Sequence, residues 1–252
     1  MYYKNVDQNI LTIRKQCHYE DELMLQEINE YLHKNIDLDY REFSLRCNEL
    51  ATNFLGVRVP IIRNLAKDIT KRKLSHKYYE ENDFKTYENV MLHICLLQYE
   101  KDLEIVFHEV PKIIPHLNNW GLCDGLVSSL KITKKHREEM FSFMIKYKNN
   151  ENPFIRRFVI IMCMAYFLDD DFLCRVINII LNVKGDNYYI DMGKAWTLAT
   201  LAIKRSDIVE NIILNSSLSV WIKRKTIQKM KESYRISDEV KEHFNNLLKN
   251  IK

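Results

Sequence analysis

With 252 residues, 46% of them hydrophobic and 29% charged, the chain has the material for a sizeable core and the balance of an ordinary globular protein. Its uncharged runs, the apolar 158–168 among them, fall well short of the roughly 20 residues a membrane span requires, so no spanning segment is expected. A net charge of +4 is mild over the whole chain, so any face that meets a polyanion must come from local clustering of cations.

The chain opens Met1-Tyr2-Tyr3-Lys4-Asn5, without the apolar stretch of a secretory signal, and a cytoplasmic location is expected. Only five Gly and four Pro punctuate it, which favours long helices over many short strands. Apolar periodicity predicts helices over 12–35, 40–54, 60–70, 76–79 with 84–97, 103–114 and 120–130. Further helices are predicted over 134–147, 153–167, 172–182, 188–202, 207–215, 220–231 and 237–249. Asn152 before Pro153 reads as an N-cap followed by a proline at N1, where a missing N–H costs nothing. Ser237 opens Ser-Asp-Glu-Val, a cap with carboxylates in the first turn that complement the helix dipole.

So many amphipathic helices of about 10 to 20 residues cannot all pack round one core, whereas stacked helical hairpins bury each apolar face. The expected fold is therefore all-α: a right-handed α-solenoid, or superhelix, of HEAT-like helical hairpins forming one domain over 1–252, with 1–37 as possible capping helices. A globular multi-helix bundle is the alternative, since no two hairpins are similar enough to establish a repeat. The six cysteines lack a close pair and lie mostly in apolar stretches, which reads as reduced core thiols. The eight histidines show no ligand spacing, so neither a metal nor another cofactor is expected.

Trp120 and Asp124 stand four apart, on one face of a predicted helix, so that an aromatic ring lies one turn from an anionic oxygen. Such a pair can stabilise a developing cation. Taken alone, it reads more readily as a surface carboxylate, or one paired with a neighbouring lysine, beside a core ring. Cations gather at Lys131, Lys134, Lys135 and Arg137, at Lys146 and Lys148, and most densely at Lys223, Arg224, Lys225, Lys229, Lys231 and Arg235. Each run is either a polyanion contact or a solvated helix face.

Four segments carry a resemblance. They are Phe54-Leu55-Gly56-Val57-Arg58-Val59-Pro60-Ile61-Ile62-Arg63, Asn119-Trp120-Gly121-Leu122-Cys123-Asp124, Asn152-Pro153-Phe154-Ile155-Arg156-Arg157 and Tyr188-Tyr189-Ile190-Asp191-Met192-Gly193-Lys194-Ala195-Trp196. In order and spacing the chain resembles the AlkD-like DNA alkylation repair proteins, the HEAT-like repeat DNA glycosylases. The resemblance implies a basic, concave superhelix that binds duplex DNA as a monomer and hydrolyses the N-glycosidic bond of cationic purines of the 3-methyladenine and 7-methylguanine type. The base is not flipped into a deep pocket. It also implies Asp124 as the catalytic carboxylate, with Trp120 and Trp196 bordering the lesion-bearing sugar, and Arg157 as a phosphate clamp. Arg156 is a lesser contact, and Lys194, Lys223, Arg224 and Lys225 are candidate backbone contacts.

An alkylated purine is already a good leaving group, so the catalyst's task is to stabilise the oxocarbenium ion of the deoxyribose, which a carboxylate and aromatic faces can do. No lysine stands beside Asp124 on its helix, so cleavage of the resulting abasic site is not expected. Cys47 stands where some active relatives carry an aromatic, and Gly121 where a polar residue can occur. These departures keep open a non-catalytic HEAT-like protein that binds damaged or branched DNA, and a protein-interaction solenoid with no DNA role.

Overall fold

The computed structural model describes residues 25–47, 53–185 and 187–248, and among these every regular element is helical. The chain divides into two compact units, one ending at His116 and the other beginning at Leu117. The parts of the first and last expected helices over 12–24 and at Lys249, the cysteine Cys17, and most of the expected 1–37 cap lie outside the described residues, as does the side chain of Cys47.

In the first unit, α1 (25–34) and α2 (Leu38–Cys47) precede α3 (Val59–Lys71), α4 (Ser75–Glu81), α5 (Tyr87–Leu97) and α6 (Leu103–Ile113), which ends in a 3-10 turn, Ile114–His116. Helix α5 is the central element: every residue from Glu88 to Leu97 is buried, and α3, α4 and α6 pack against it. A helix buried on all sides has no polar face, which is why its sequence shows so little amphipathic pattern. The turn before α3 needs a special backbone. Gly56 sits at φ +100°, and a Cβ there would lie 2.6 Å from the Arg41 Cβ, so only glycine fits. Fully buried Glu88 secures the same turn: Gly56 N and Val57 N donate to its Oε1 at 2.8 and 3.1 Å, and Leu55 N to its Oε2 at 3.0 Å.

In the second unit, α7 (Trp120–Ser129), α8 (Arg137–Met144), α9 (Pro153–Tyr166), α10 (Asp170–Asn182), α11 (Tyr188–Asn215), α12 (Val220–Glu232) and α13 (Asp238–Leu247) follow in order. Helices α7, α9 and α11 lie side by side, α8 and α10 rest against α9, and α12 packs on α11. Helix α9 is the centre, buried from Phe154 to Cys163, and includes most of the uncharged run 158–168. Fully burying side chains such as Phe158 contributes about 1.5 to 3 kcal/mol each.

Two differences from the expected elements stand out. The helix predicted over 134–147 is shorter, running from Arg137 to Met144 between 3-10 turns at Lys131–Lys134 and Ile145–Tyr147. Ile132 and Thr133 are buried in the first turn, so the chain changes direction there without a Gly or Pro to announce it. The helices predicted over 188–202 and 207–215 are both present, but they follow one another without a loop, broken only where Arg205 leaves the helical region at φ −135°, ψ 60°. Of the cysteines, Cys95, Cys123 and Cys163 are buried thiols, as expected, while Cys174 is exposed on α10.

Candidate active site

Three asparagines position the site. Asn119, Asn152 and Asn187 each take an extended conformation and cap α7, α9 and α11, their side chains accepting from Leu122 N, Phe154 N and Tyr189 N. Asn152 also donates to the Leu117 carbonyl at 2.9 Å, which ties the start of α9 to the segment entering α7. The first turns of three neighbouring helices are thereby set side by side. Asparagine thus heads all three helices, as Asn-Trp, Asn-Pro and Asn-Tyr, a cap pattern that apolar periodicity alone does not reveal.

A buried ion pair links those turns. Arg157, in the second turn of α9, donates from Nε to Asp124 Oδ1 at 2.9 Å and from Nη2 to Oδ2 at 2.7 Å, a two-pronged grip on the α7 carboxylate. Its remaining nitrogen, Nη1, donates to the Tyr189 carbonyl of α11 at 2.8 Å. The Arg157 side chain is 5% exposed and that of Asp124 22%. Burial opposes the Arg157 charge, but the Asp124 carboxylate outweighs it and holds the guanidinium pKa above its usual value. A Cβ at Gly193 would sit 3.4 Å from Ile160 Cγ2 and 3.5 Å from Nη1, in ordinary van der Waals contact, so that alanine fits there and a bulkier side chain would press on the grip.

Asp124 faces a cleft of about 560 Å³ lined by Trp120, Tyr188, Met192, Trp196, Lys229 and Arg235 among others. Trp120 and Trp196 are 46% and 42% exposed, so neither ring is simply core. The structure thus gathers Trp120, Asp124, Arg157 and Trp196 round one cavity within the second unit. The lining by α12 was missed by sequence reasoning: Lys229 comes within reach of the cavity from a helix remote in sequence, with its Nζ given to Glu232 Oε2 at 2.7 Å.

Other expected contacts lie elsewhere. Arg157 was expected to clamp a phosphate, but its fork is spent on Asp124 and Tyr189. Lys194 is buried, its ammonium donating to the Val183 carbonyl, and burial first of all lowers its pKa; Arg156 is buried too. These cations sit on inward faces of α9 and α11, a direction that charge alone in a sequence does not give. Lys223, Arg224 and Lys225 remain at the surface of α12, with Lys223 donating to the Ser216 carbonyl and Lys225 to Gln228. Among the described residues no cluster of His, Cys, Asp and Glu could hold a metal ion, and no helix is long and apolar enough to cross a membrane.

An all-helical chain with an aromatic, carboxylate-bearing cleft matches, over residues 28–230, the family model described as DNA alkylation repair enzyme. The chain belongs to that family, and with it to proteins that repair alkylated DNA. Comparison with curated proteins returns no match.

Proposed function

We propose that this protein is a DNA glycosylase that hydrolyses the N-glycosidic bond of cationic alkylated purines, of the 3-methyladenine and 7-methylguanine type, in duplex DNA. The observation that carries the reading is the Asp124 carboxylate, fixed by Arg157 on the wall of a cleft bordered by two exposed tryptophans. Bond breakage leaves positive charge on the deoxyribose. A pre-oriented carboxylate stabilises that charge without reorganising, and each Asp124 oxygen keeps a lone pair with which to accept from the attacking water. The faces of Trp120 and Trp196 favour both the charged base and the charged sugar, each contact contributing about 0.5 to 2 kcal/mol.

Arg157 acts here through Asp124, as a positioning residue. Lys223, Arg224 and Lys225 are the proposed partners of the DNA backbone. The only lysine lining the cleft among the described residues, Lys229, is held as a partner of Glu232, so hydrolysis alone is proposed, and borohydride should trap no covalent complex on an abasic duplex. A right-handed stack of HEAT-like hairpins, a monomeric state and a cytoplasmic location complete the proposal. The side-by-side packing of α7, α9 and α11 supports the first of these.

A second reading is a non-catalytic member that binds damaged or branched DNA. The observation in its favour is that both Asp124 oxygens are already engaged by Arg157. The test is release of free base from methylated duplex DNA at fixed salt. Release of methylated purine supports the glycosylase, whereas binding that weakens steeply with salt and no release supports the second reading.

A further inference from the structure

The aromatic surface of the second unit does not end at the cleft. Tyr188, 57% exposed and part of the cleft lining, meets Trp221 of α12 edge to face, with ring centroids 5.8 Å apart. Trp221 is itself 40% exposed, and the Lys225 ammonium lies 5.5 Å from its ring centre. Tryptophan offers a large apolar body that folding ordinarily covers, so a ring exposed to this degree and joined to a cleft marks a contact surface. The helix that presents it carries Lys223, Arg224, Lys225, Lys229 and Lys231 against Glu232 as its sole acid.

An apolar partner has no need of so many cations, and a polyanion recognised through charge alone has no need of an exposed tryptophan beside a tyrosine. The two together suit a nucleic-acid strand, whose bases stack on aromatic rings while its phosphates meet cations. A base inside a duplex has both faces covered by its neighbours, so the rings can accept one that has left the stack.

We propose that Trp221, met edge to face by Tyr188, forms a stacking ledge for one unpaired nucleobase beside the cleft, with Lys225 serving the phosphate of the same nucleotide. The proposal rests on the reading of the cleft as a DNA site and adds to it a preference for DNA in which a base next to the lesion is unstacked. The ledge is joined to the cleft through Tyr188, which belongs to both.

The experiment compares two duplexes that differ in one group: a single-nucleotide bulge carrying adenine, and the same bulge carrying the base-less tetrahydrofuran analogue. Binding is measured at fixed salt for the parent, Trp221→Ala, Trp221→Phe, Tyr188→Ala and Lys225→Gln, each checked for helicity by circular dichroism. The parent should bind the adenine bulge about tenfold more tightly or better, as loss of one base–aromatic stack implies. Trp221→Ala should erase most of that preference and leave affinity for the base-less duplex nearly unchanged, and Trp221→Phe should keep part of it, whereas Tyr188→Ala, at a residue that also lines the cleft, should lower the preference and weaken both duplexes. Lys225→Gln should weaken both duplexes alike and reduce the salt slope by about one. Equal weakening of both duplexes by Trp221→Ala, or no preference in the parent, overturns the ledge alone if methylated purine is still released. No binding of either duplex overturns the ledge together with the DNA reading.

Discussion

Replacing Asp124 by Asn probes the contact that joins α7 to α9. Asparagine keeps the shape and one acceptor oxygen but turns an NH2 group toward the guanidinium and removes the charge that neutralises Arg157, whose side chain is 5% exposed. Removing one partner of a buried pair costs about 3 to 5 kcal/mol, and the partial exposure of Asp124 points to the lower end, about 3 kcal/mol. For a unit of this size that is a fall in melting temperature of about 9 °C, at roughly 3 °C per kcal/mol. Arg157→Met should cost about 2 kcal/mol, because the carboxylate it strands can reach water. The double variant buries no orphan charge and should cost about 3 kcal/mol, less than the sum of the singles. Thermal unfolding of all four proteins by circular dichroism completes the cycle. A single Asp124→Asn variant that melts within about 2 °C of the parent, or an additive cycle, would refute the claim that this pair is a buried structural bond.

Three further outcomes follow from other contacts. Glu88→Ala leaves the N–H groups of Gly56 and Val57, with that of Leu55, facing an apolar void, and at about 1 to 3 kcal/mol for each group left unsatisfied the first unit should lose at least 3 kcal/mol, read as a lower urea midpoint. Gly193→Val adds bulk against Ile160 and Arg157 Nη1 and should lower excision at least tenfold while sparing DNA affinity; unchanged excision would show that the grip on Asp124 is not needed. The third concerns pH. Burial holds His93 below its ordinary pKa of 6.5. Burial raises the Glu109 pKa, but its bonds to His93, Lys112 and His108 prevail and bring it down to about 2. In both cases the unfolded chain binds more protons, so stability falls as pH drops, from about 6.5 through His93 and below 4.5 through Glu109. His93→Gln should remove the upper limb of that profile, and a parent stability flat from pH 7 to about 5 would contradict the assignment.

Much of this site is readable from the sequence because it depends on local rules. The i, i+4 spacing of Trp120 and Asp124, the Asn152-Pro153 start of α9 and the Ser237 cap, which accepts from Val240 N, are each decided within a few residues. Which way a long cation turns is not a local matter. Arg157 and Lys194 sit in helices buried from several sides, and only the packing of α7, α9 and α11 determines that one seizes Asp124 and the other a carbonyl. The same holds for Lys229, brought to the cleft by packing of α12 on α11, and for Glu88, whose value lies in backbone groups some thirty positions earlier. The kink at Arg205 has no Gly or Pro to mark it, yet the break between two apolar patterns falls there in the sequence as well.

The central claim is that Asp124, held by Arg157, stabilises the charged sugar as the glycosidic bond breaks. It is tested most directly by the single-turnover rate of 7-methylguanine release from duplex DNA, with protein in excess of its dissociation constant and below the melting temperature of either protein. Comparing the parent with Asp124→Asn, we expect a rate at least about 100-fold lower for the variant at nearly the same DNA affinity, the scale of losing one pre-oriented electrostatic partner of a transition state. Equal rates for the two proteins would contradict the account.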